Sequence, residues 1–250
     1  MYLTKAQFIT QNSFEGAFII GVNTEMALVL DNEFLESGSK IILEQNSSLE
    51  LIIIQDKNSQ NIAYRILQKK NSRLKVFVIT SSKNCNLQIL QEATEANASF
   101  ELFGISFNLA TSSSTIDLQS LIKQPNCDIN IVFNNTIAGS AKCNFSGIVN
   151  ISKNAQNANV HLVNKNLLLS DNCKINSKPI LQIFNPNVKA KHAATTGFLK
   201  DKELIYLQSR GLTKERASKI LVQAFNQQII NKLNIICFRD RFNQILNQNG

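Results

Sequence analysis

The sequence predicts a parallel β-solenoid of many short strands, followed by a small α-helical subdomain. From about Gly16 to Phe184, runs rich in β-branched and aromatic residues recur at a spacing of about eight to twelve residues. The corners between the runs are mostly asparagine and serine, in a chain with nine glycines and three prolines. After Gly197 the apolar residues recur at steps of three and four, which is the period of a helix.

The β-prone runs give the predicted strands in chain order. They cover residues 17–22, 26–30, 40–44, 49–55, 61–67, 74–80, 86–90, 99–107, 129–133, 145–151, 166–170 and 179–184. Two-residue hairpins favour Asn-Gly, Asp-Gly or Gly-Gly, and the only Asn-Gly pair is Asn249-Gly250. Asparagine instead tolerates the left-handed conformation that a single-residue corner requires. The predicted corners are Asn46 to Ser48, Asn58-Ser59, Asn71-Ser72, Ser81 to Asn84, Ser112 to Ser114 and Asn134-Asn135. Strands joined by such corners favour a solenoid over a sandwich.

Two helices are predicted after the solenoid. Asp201 can cap the first, which ends before Gly211, and Thr213 begins a longer one. The apolar stripe predicted for the longer helix consists of Ala217, Ile220, Leu221, Ala224, Phe225, Ile229 and Leu233. A third helical segment is predicted around Arg239 to Leu246. The expected division of the chain is therefore a β-core over residues 1–197 and a helical subdomain over 198–250.

Composition narrows the range of functions. No apolar run reaches the roughly 20 residues that span a bilayer, and the N-terminus lacks a secretory pattern, so the predicted compartment is the cytoplasm. The net charge of +8 leaves nucleic-acid binding open as an alternative, although the lysines do not cluster. The five cysteines form no C-x-x-C pair, which predicts reduced thiols packed as small apolar residues; they are Cys85, Cys127, Cys143, Cys173 and Cys237.

The sequence contains no complete catalytic motif. It lacks the G-x-x-x-x-G-K-[ST] phosphate loop, the G-x-S-x-G elbow and H-E-x-x-H, and no carboxylate pair at coil spacing is evident. A solenoid enzyme acting on a polysaccharide remains an alternative. Of the two histidines, His161 is expected to be a half-buried or surface residue of a strand. His192 follows Lys189-Ala190-Lys191 and is expected at a strand-to-helix junction, as a metal or partner contact or simply as an exposed side chain.

The second half of the chain resembles the SufB/SufD family of the SUF iron–sulfur cluster assembly system. The shared motifs are an Ala-Gln pair, N-x-N-L-L-L-S, S-K-P-x-L-x-I, V-K-x-x-H-x-A-T-x-G and Y-L-x-S-R-G. Here they lie at Ala155-Gln156, Asn164 to Ser170, Ser177 to Ile183, Val188 to Gly197 and Tyr206 to Gly211. Residues 140 to 235 resemble the family most closely, and the histidine variant of the fourth motif is similar to the SufD branch.

The resemblance implies a right-handed parallel β-helix and a non-catalytic scaffold subunit. It implies pairing with a SufB-like chain, or with a second copy, and docking of a SufC-like ATPase on the helices from Leu212 to Leu233. His192 would contribute a ligand to iron or to a transient Fe–S cluster shared with SufB, and this chain would bind no nucleotide. Tyr206, Arg210, Leu221 and Phe225 are the expected partner-interface residues.

Two departures from the family pattern concern the neighbours of His192. Many relatives have cysteine where this chain has Ala190, and glycine where it has Ala193. Relatives also tend to carry a long helical N-terminal region, whereas strands are predicted here from about residue 17, so the chain resembles a short form of SufD.

Overall fold

The computed structural model confirms the predicted solenoid. It describes residues 6–8, 13–14, 16–31, 34–35, 40–56, 60–81, 83–233 and 244–245. The strands are β1 (Ala6–Phe8), β2 (Ser13–Phe14), β3 (Ala17–Ile20), β4 (Glu25–Asp31), β5 (Phe34–Leu35), β6 (Lys40–Leu43), β7 (Ser48–Gln55), β8 (Gln60–Gln68), β9 (Arg73–Thr80), β10 (Asn84–Ala93), β11 (Ser99–Asn108), β12 (Ser113–Ile122), β13 (Asp128–Ile137), β14 (Lys142–Ile151), β15 (Asn159–Leu168), β16 (Lys174–Ile183) and β17 (Lys189–Phe198). The helices are α1 (Asp201–Ser209) and α2 (Lys214–Ile230).

All the strands except β2 and β5, which pair with each other, form two long parallel sheets that alternate along the chain. The first has the order β1-β4-β7-β9-β11-β13-β15-β17, and the second has the order β16-β14-β12-β10-β8-β6-β3. Each turn of the chain therefore contributes one strand to each sheet. Side chains that point inward from both sheets form one continuous core, which is largely aliphatic and includes Phe100, Phe133 and Phe145. Burial of this apolar surface is the main force that holds the coils together.

A ladder of asparagines stabilises one corner of the solenoid. Asn23, Asn46, Asn71, Asn97, Asn126 and Asn157 all have a positive φ, between 56° and 62°. The side-chain amide of Asn71 donates to Asn46 Oδ1 at 2.8 Å, and that of Asn97 donates to Asn71 Oδ1 at 2.9 Å. At the far end, the Asn187 amide donates to Asn157 Oδ1 at 2.9 Å. The predicted corners at Asn46 and Asn71 are thus confirmed, since asparagine adopts this conformation at low cost.

One predicted corner is wrong and another is partly wrong. Asn134 and Asn135 lie inside β13 and are buried, whereas Ser112 closes a turn and Ser113 and Ser114 begin β12. The polar side chains suggested turns, but in β13 the Asn134 amide donates to α2 and the Asn135 amide donates to Asn166, as described below. The prediction at Asn58-Ser59 lies outside the described residues. Ser82, which belongs to the predicted corner from Ser81 to Asn84, also lies outside the described residues.

Four of the cysteines are free thiols buried in the solenoid: Cys85, Cys127, Cys143 and Cys173. This confirms the prediction for these four, and Cys237 lies outside the described residues. Burial raises the pKa of the Cys143 thiol to about 11, and burial also raises the pKa of Cys127. Cys143 and Cys127 are therefore held protonated, and all four buried thiols pack as small apolar side chains.

A charged cluster lies on the outer face of the second sheet. Glu92 is 4% exposed and accepts hydrogen bonds from Arg65 Nη2 at 2.7 Å and from Lys123 Nζ at 2.7 Å. Burial alone would raise the pKa of Glu92, but the hydrogen bonds and charges of Lys123 and Arg65 outweigh it. The pKa of this carboxyl therefore lies below its ordinary value.

The helix α2 packs on the outer face of the first sheet. Its buried residues Val222, Ile229 and Ile230 join the outward-facing Phe77 and Phe103 of the solenoid in a second apolar cluster. Two polar contacts support this packing: Asn134 Nδ2 donates to the backbone oxygen of Phe225 at 3.0 Å and to Asn226 Oδ1 at 3.3 Å. Ile245, in a described helical pair of residues within the predicted third segment, belongs to the same cluster.

The helix ends agree only partly with the predictions. Thr213 caps α2, because its side-chain oxygen accepts from the backbone N–H of Arg216 at 3.3 Å, and Gly211 follows α1 with φ of 88°. The Asp201 cap is wrong, since Lys200 occupies the cap position and provides no side-chain hydrogen bond.

The predicted stripe of α2 is also partly wrong. Ile220 and Ala224 are exposed, whereas Val222 and Asn226 are buried. The contact of Asn226 with Asn134 explains why a polar position faces the solenoid. Among the helices of the described residues, none is long and apolar enough to cross a membrane.

Candidate functional site at the open end of the solenoid

The final coil, formed by β16 and β17, is an uncovered end of the solenoid within the described residues, and we call it the open end. β17 is the edge of one long sheet and β16 is the edge of the other. Every residue of β17 except Ala190 is exposed, and β16 alternates between exposed and partly buried residues. The inward-facing side chains of this coil, unlike those of the coils before it, have no further coil stacked on them within the described residues.

His192 lies in the middle of β17 and on its inward face. It is in register with Leu162, which is in register with Ile131, and Ile131 with Leu102. These three side chains are fully buried. Residues in register on adjacent strands share a face of the sheet. The imidazole therefore continues an aliphatic column at the point where the column meets solvent.

This placement corrects the predicted strand-to-helix junction. β17 runs from Lys189 to Phe198, and α1 begins at Asp201. The strand was missed because an uncovered edge strand does not need apolar side chains at alternate positions. β17 is thus a strand of the β-core that was not predicted, while the boundary between residues 197 and 198 stays a prediction.

The two open edges differ in the hydrogen-bond donors that they present. The Lys189 N–H donates to the Ala158 oxygen of the preceding coil at 2.9 Å. Alternate residues of β17, beginning with Ala190, therefore direct their backbone N–H groups away from that coil and toward the open end. His192 and Thr196 are among the residues whose backbone N–H groups point toward the open end. On β16 the Lys174 N–H donates to the Ala141 oxygen of the preceding coil at 2.9 Å. The backbone of Pro179, five residues later, therefore faces the open end.

Proline has no N–H to donate. The row of donors on β16 is therefore interrupted at its centre by Pro179, whereas β17 contains no proline. The side chains that flank His192 on its own face, Ala190 and Ala194, are small. Of the two edges, β17 offers the more complete set of backbone donors around the imidazole.

Two hydroxyl groups accompany His192 at the open end. Ser177 Oγ donates to Asn164 Oδ1 at 2.7 Å, and Asn166 Nδ2 donates to Thr196 Oγ1 at 3.2 Å. Sequence reasoning did not select either hydroxyl. Only the register, which aligns Thr196 with the buried Asn166, shows that Thr196 belongs to this end of the solenoid.

His161 lies on the opposite face of the same sheet. It is in register with Lys191, and it lines a groove of about 350 Å³ with Glu101, Asp128 and Asn130 among the other lining residues. Burial lowers the pKa of His161, and the positive charge of Lys191 lowers it further. The partly buried strand position confirms the prediction for His161, while sequence reasoning missed that Glu101 and Asp128 share its groove.

No set of residues in the described part of the chain forms a metal cage. Groups of three or more histidine, cysteine, aspartate or glutamate side chains arranged to hold a metal ion are absent from those residues. His192 can thus supply one imidazole ligand, and the other ligands of any metal at this position would have to come from elsewhere.

The four predicted partner-interface residues occupy different environments. Tyr206 is 58% exposed on α1, and the Arg210 guanidinium lies 5.5 Å from the centre of its ring. Leu221 and Phe225 are partly buried, and Phe225 packs against the apolar cluster between α2 and the solenoid. Tyr206 and Arg210 are therefore accessible to a partner, whereas Phe225 also holds α2 in place.

Comparison with known proteins connects this architecture to one family. Residues 8–225 match the family model described as SUF system FeS cluster assembly, SufBD core domain. The chain belongs to this family. The resemblance to SufD in particular is supported by two relatives named iron-sulfur cluster assembly protein SufD. The one from Bacillus subtilis is 36% identical over 38% of this chain, and the one from Escherichia coli is 28% identical over 43%.

A third relative comes from Synechocystis and is named as an iron-sulfur cluster assembly SufBD family protein. It is 39% identical over 42% of this chain. The matched regions span only 22%, 25% and 23% of the length of the Bacillus, Escherichia and Synechocystis proteins, respectively. The matches thus support the family membership, while the activities and partners of the whole relatives are not carried over by the match alone.

Proposed function

We propose that this chain is a non-catalytic scaffold subunit for iron–sulfur cluster assembly that pairs with a SufB-like chain at the open end of its solenoid. The observation that carries the proposal is the position of His192 on the inward face of the uncovered strand β17. Membership of the SufBD core domain family supplies the general process. The same family match favours cluster assembly over the polysaccharide and nucleic-acid alternatives.

Strand addition is the form of pairing that the open end favours. An exposed edge with free N–H and C=O groups is a template for a strand from another chain. β17 has an uninterrupted row of outward donors and small side chains beside His192, so a partner backbone can approach closely. A SufB-like chain is the proposed partner, and a second copy of this chain could use the same edge in its absence.

Pairing at β17 would change the environment of His192. A partner coil stacked on the open end would remove the imidazole from water, and a buried polar group without a hydrogen bond or metal partner is costly. Iron or an Fe–S cluster, held transiently as cargo and ligated jointly by the partner, would satisfy the imidazole nitrogen. His192 is accordingly proposed as the ligand that this subunit contributes.

The helices are proposed to dock a SufC-like ATPase. Tyr206 and Arg210 present an exposed aromatic ring and a guanidinium, a combination that is common at protein interfaces. Phe225 would act by holding α2 against the solenoid, and the partly buried Leu221 would contact the ATPase. The chain has no phosphate-loop motif, so in this proposal the nucleotide belongs to the ATPase and not to this chain. The cytoplasm is the compartment we propose.

The first test is reconstitution with the SufB-like and SufC-like proteins of the same cell. We expect a stable complex by size-exclusion chromatography, and a chain that elutes alone under all conditions would contradict the proposal. His192→Ala should leave the unfolding temperature of the isolated chain unchanged, because the side chain is exposed. In the complex it should lower the iron and sulfide bound per subunit.

His161→Ala is the matched control, since His161 lies on the other face of the sheet. We expect the control to assemble cluster like the wild type. Equal cluster content in the His192→Ala complex and the wild-type complex would refute the proposed ligand role. A large loss of thermal stability in His192→Ala would show instead that the histidine is structural.

A further inference from the structure

A continuous line of hydrogen-bonded side chains runs along the inside of the solenoid to its open end. Ser106 Oγ donates to Asn135 Oδ1 at 2.6 Å, and Asn135 Nδ2 donates to Asn166 Oδ1 at 2.7 Å. Asn166 Nδ2 then donates to Thr196 Oγ1 at 3.2 Å. The four residues are in register on β11, β13, β15 and β17, and the first three are buried. This polar column lies within a core that is otherwise largely aliphatic.

The polar column has a direction. At each step the residue of the inner coil donates a hydrogen, and the residue of the next coil toward the open end accepts it. Thr196 is the last member, and its oxygen is already used as an acceptor. Its own hydroxyl hydrogen is therefore the group that the column presents at the open end. Water can accept this hydrogen in the isolated chain, because Thr196 is exposed.

We propose that Thr196 determines which chains can cap the open end, by requiring a hydrogen-bond acceptor in the partner coil that covers it. This inference rests on the proposed pairing at β17. A partner coil would exclude water from Thr196, and a buried hydroxyl hydrogen without an acceptor destabilises the complex. A suitable partner presents a backbone carbonyl, a side-chain amide oxygen or a carboxylate at this position. A coil with an aliphatic side chain there is disfavoured.

The neighbouring residue provides a matched control. Thr195 precedes Thr196 on β17, and successive side chains of a strand point to opposite faces. Thr195→Val therefore removes an identical hydroxyl from the outer face of the same strand. Thr196→Val removes the terminal hydroxyl of the polar column with nearly the same side-chain shape. Thr196→Ser retains that hydroxyl.

The test is to measure the dissociation constant of the full chain and its SufB-like counterpart by biolayer interferometry. We expect Thr196→Val to weaken pairing by about tenfold or more, since one donor is lost and the partner's acceptor is left buried. Thr196→Ser and Thr195→Val should bind within about twofold of the wild type. The unfolding temperatures of isolated Thr196→Ser and Thr195→Val should match that of the wild type. That of Thr196→Val should fall slightly, because the buried Asn166 amide loses its acceptor.

Three results would overturn the inference. Equal affinity of Thr196→Val and the wild type would show that no buried acceptor meets Thr196, while leaving the proposed pairing intact. Equal weakening by Thr195→Val would show that the effect belongs to the strand and not to the polar column. Failure of the wild-type chain to pair with its counterpart or with itself would remove the proposed pairing, and the inference with it.

Discussion

Gly104→Ala should destabilise the solenoid by a close contact in its core. Gly104 lies on β11, directly in register with Phe133. A Cβ at this glycine would lie 2.1 Å from Cδ2 and from Cε2 of the Phe133 ring. The ring cannot easily withdraw, because Phe133 is fully buried and its ring centre lies 5.4 Å from that of Phe145. The phenyl ring of Phe133 therefore occupies the space that a Cβ at position 104 would fill.

The magnitude follows from two opposing effects. Overfilling a packed core costs about 1–3 kcal/mol, and alanine gains about 0.5–1 kcal/mol over glycine within a strand. We expect the free energy of unfolding to fall by about 1–2 kcal/mol, which lowers the unfolding temperature by about 2–8 °C for a chain of this size. The assay is urea unfolding, in which the midpoint should move while the slope stays constant.

Two further variants separate this contact from other effects of the substitution. Gly197→Ala is the control, because a Cβ there meets nothing within 4 Å. We expect it to be as stable as the wild type or slightly more stable. Phe133→Leu should recover part of the loss when it is combined with Gly104→Ala, since the smaller side chain makes room. A Gly104→Ala chain as stable as the wild type would refute the reasoning.

Three other predictions concern α2, the asparagine ladder and the charged cluster. Phe225→Ala should lower the free energy of unfolding by about 2 kcal/mol, which is less than the loss expected for a fully buried phenylalanine, because Phe225 is only partly buried. The control Phe198→Ala should be neutral in urea unfolding, because Phe198 is exposed. Asn71→Ala should cost about 1–2 kcal/mol because φ is 57°, and Asn71→Gly should cost less by the same assay, since glycine adopts this conformation freely. The pKa of Glu92 is lowered on folding, so its stabilisation is full above pH 4.5, its ordinary pKa, and is lost as the pH falls through the folded pKa. Glu92→Gln should therefore be less stable than the wild type at pH 7, with the difference shrinking below pH 4.5 in a pH series of thermal melts.

Much of the fold could be predicted because most strands are buried on at least one face. Every predicted β-prone run overlaps a strand of the structure, although the runs at residues 17–22, 40–44, 166–170 and 179–184 extend past the strand ends. The strand β12 was missed, because its outward residues are polar and its first serines suggested a turn. Asn135 was misplaced for a related reason: its partner Asn166 lies one coil away, and no local pattern reveals that contact. Sequence periodicity shows which face is apolar, but it does not show which polar groups are paired inside.

The candidate site was harder to predict, because the burial of its side chains depends on whether another coil covers them. His192 and Leu162 occupy equivalent positions in consecutive coils, yet one is exposed and the other is buried. The lysines around His192 suggested a surface junction, and they do lie at the surface. What sequence alone did not reveal is that the imidazole faces the solenoid axis and the lysines face away from it.

The register of the final coil is what places His192 on that axis. Side chains alternate along a strand, so a slip of one residue between β15 and β17 would put a neighbouring residue such as Lys191 on the inward face and His192 on the outer one. Two hydrogen bonds resist such a slip: Asn187 to Asn157 at the corner that precedes β17, and Asn166 to Thr196 inside the solenoid. The two ladders thus act from opposite ends of the strand. They hold a single imidazole at the position where a second chain would have to meet it.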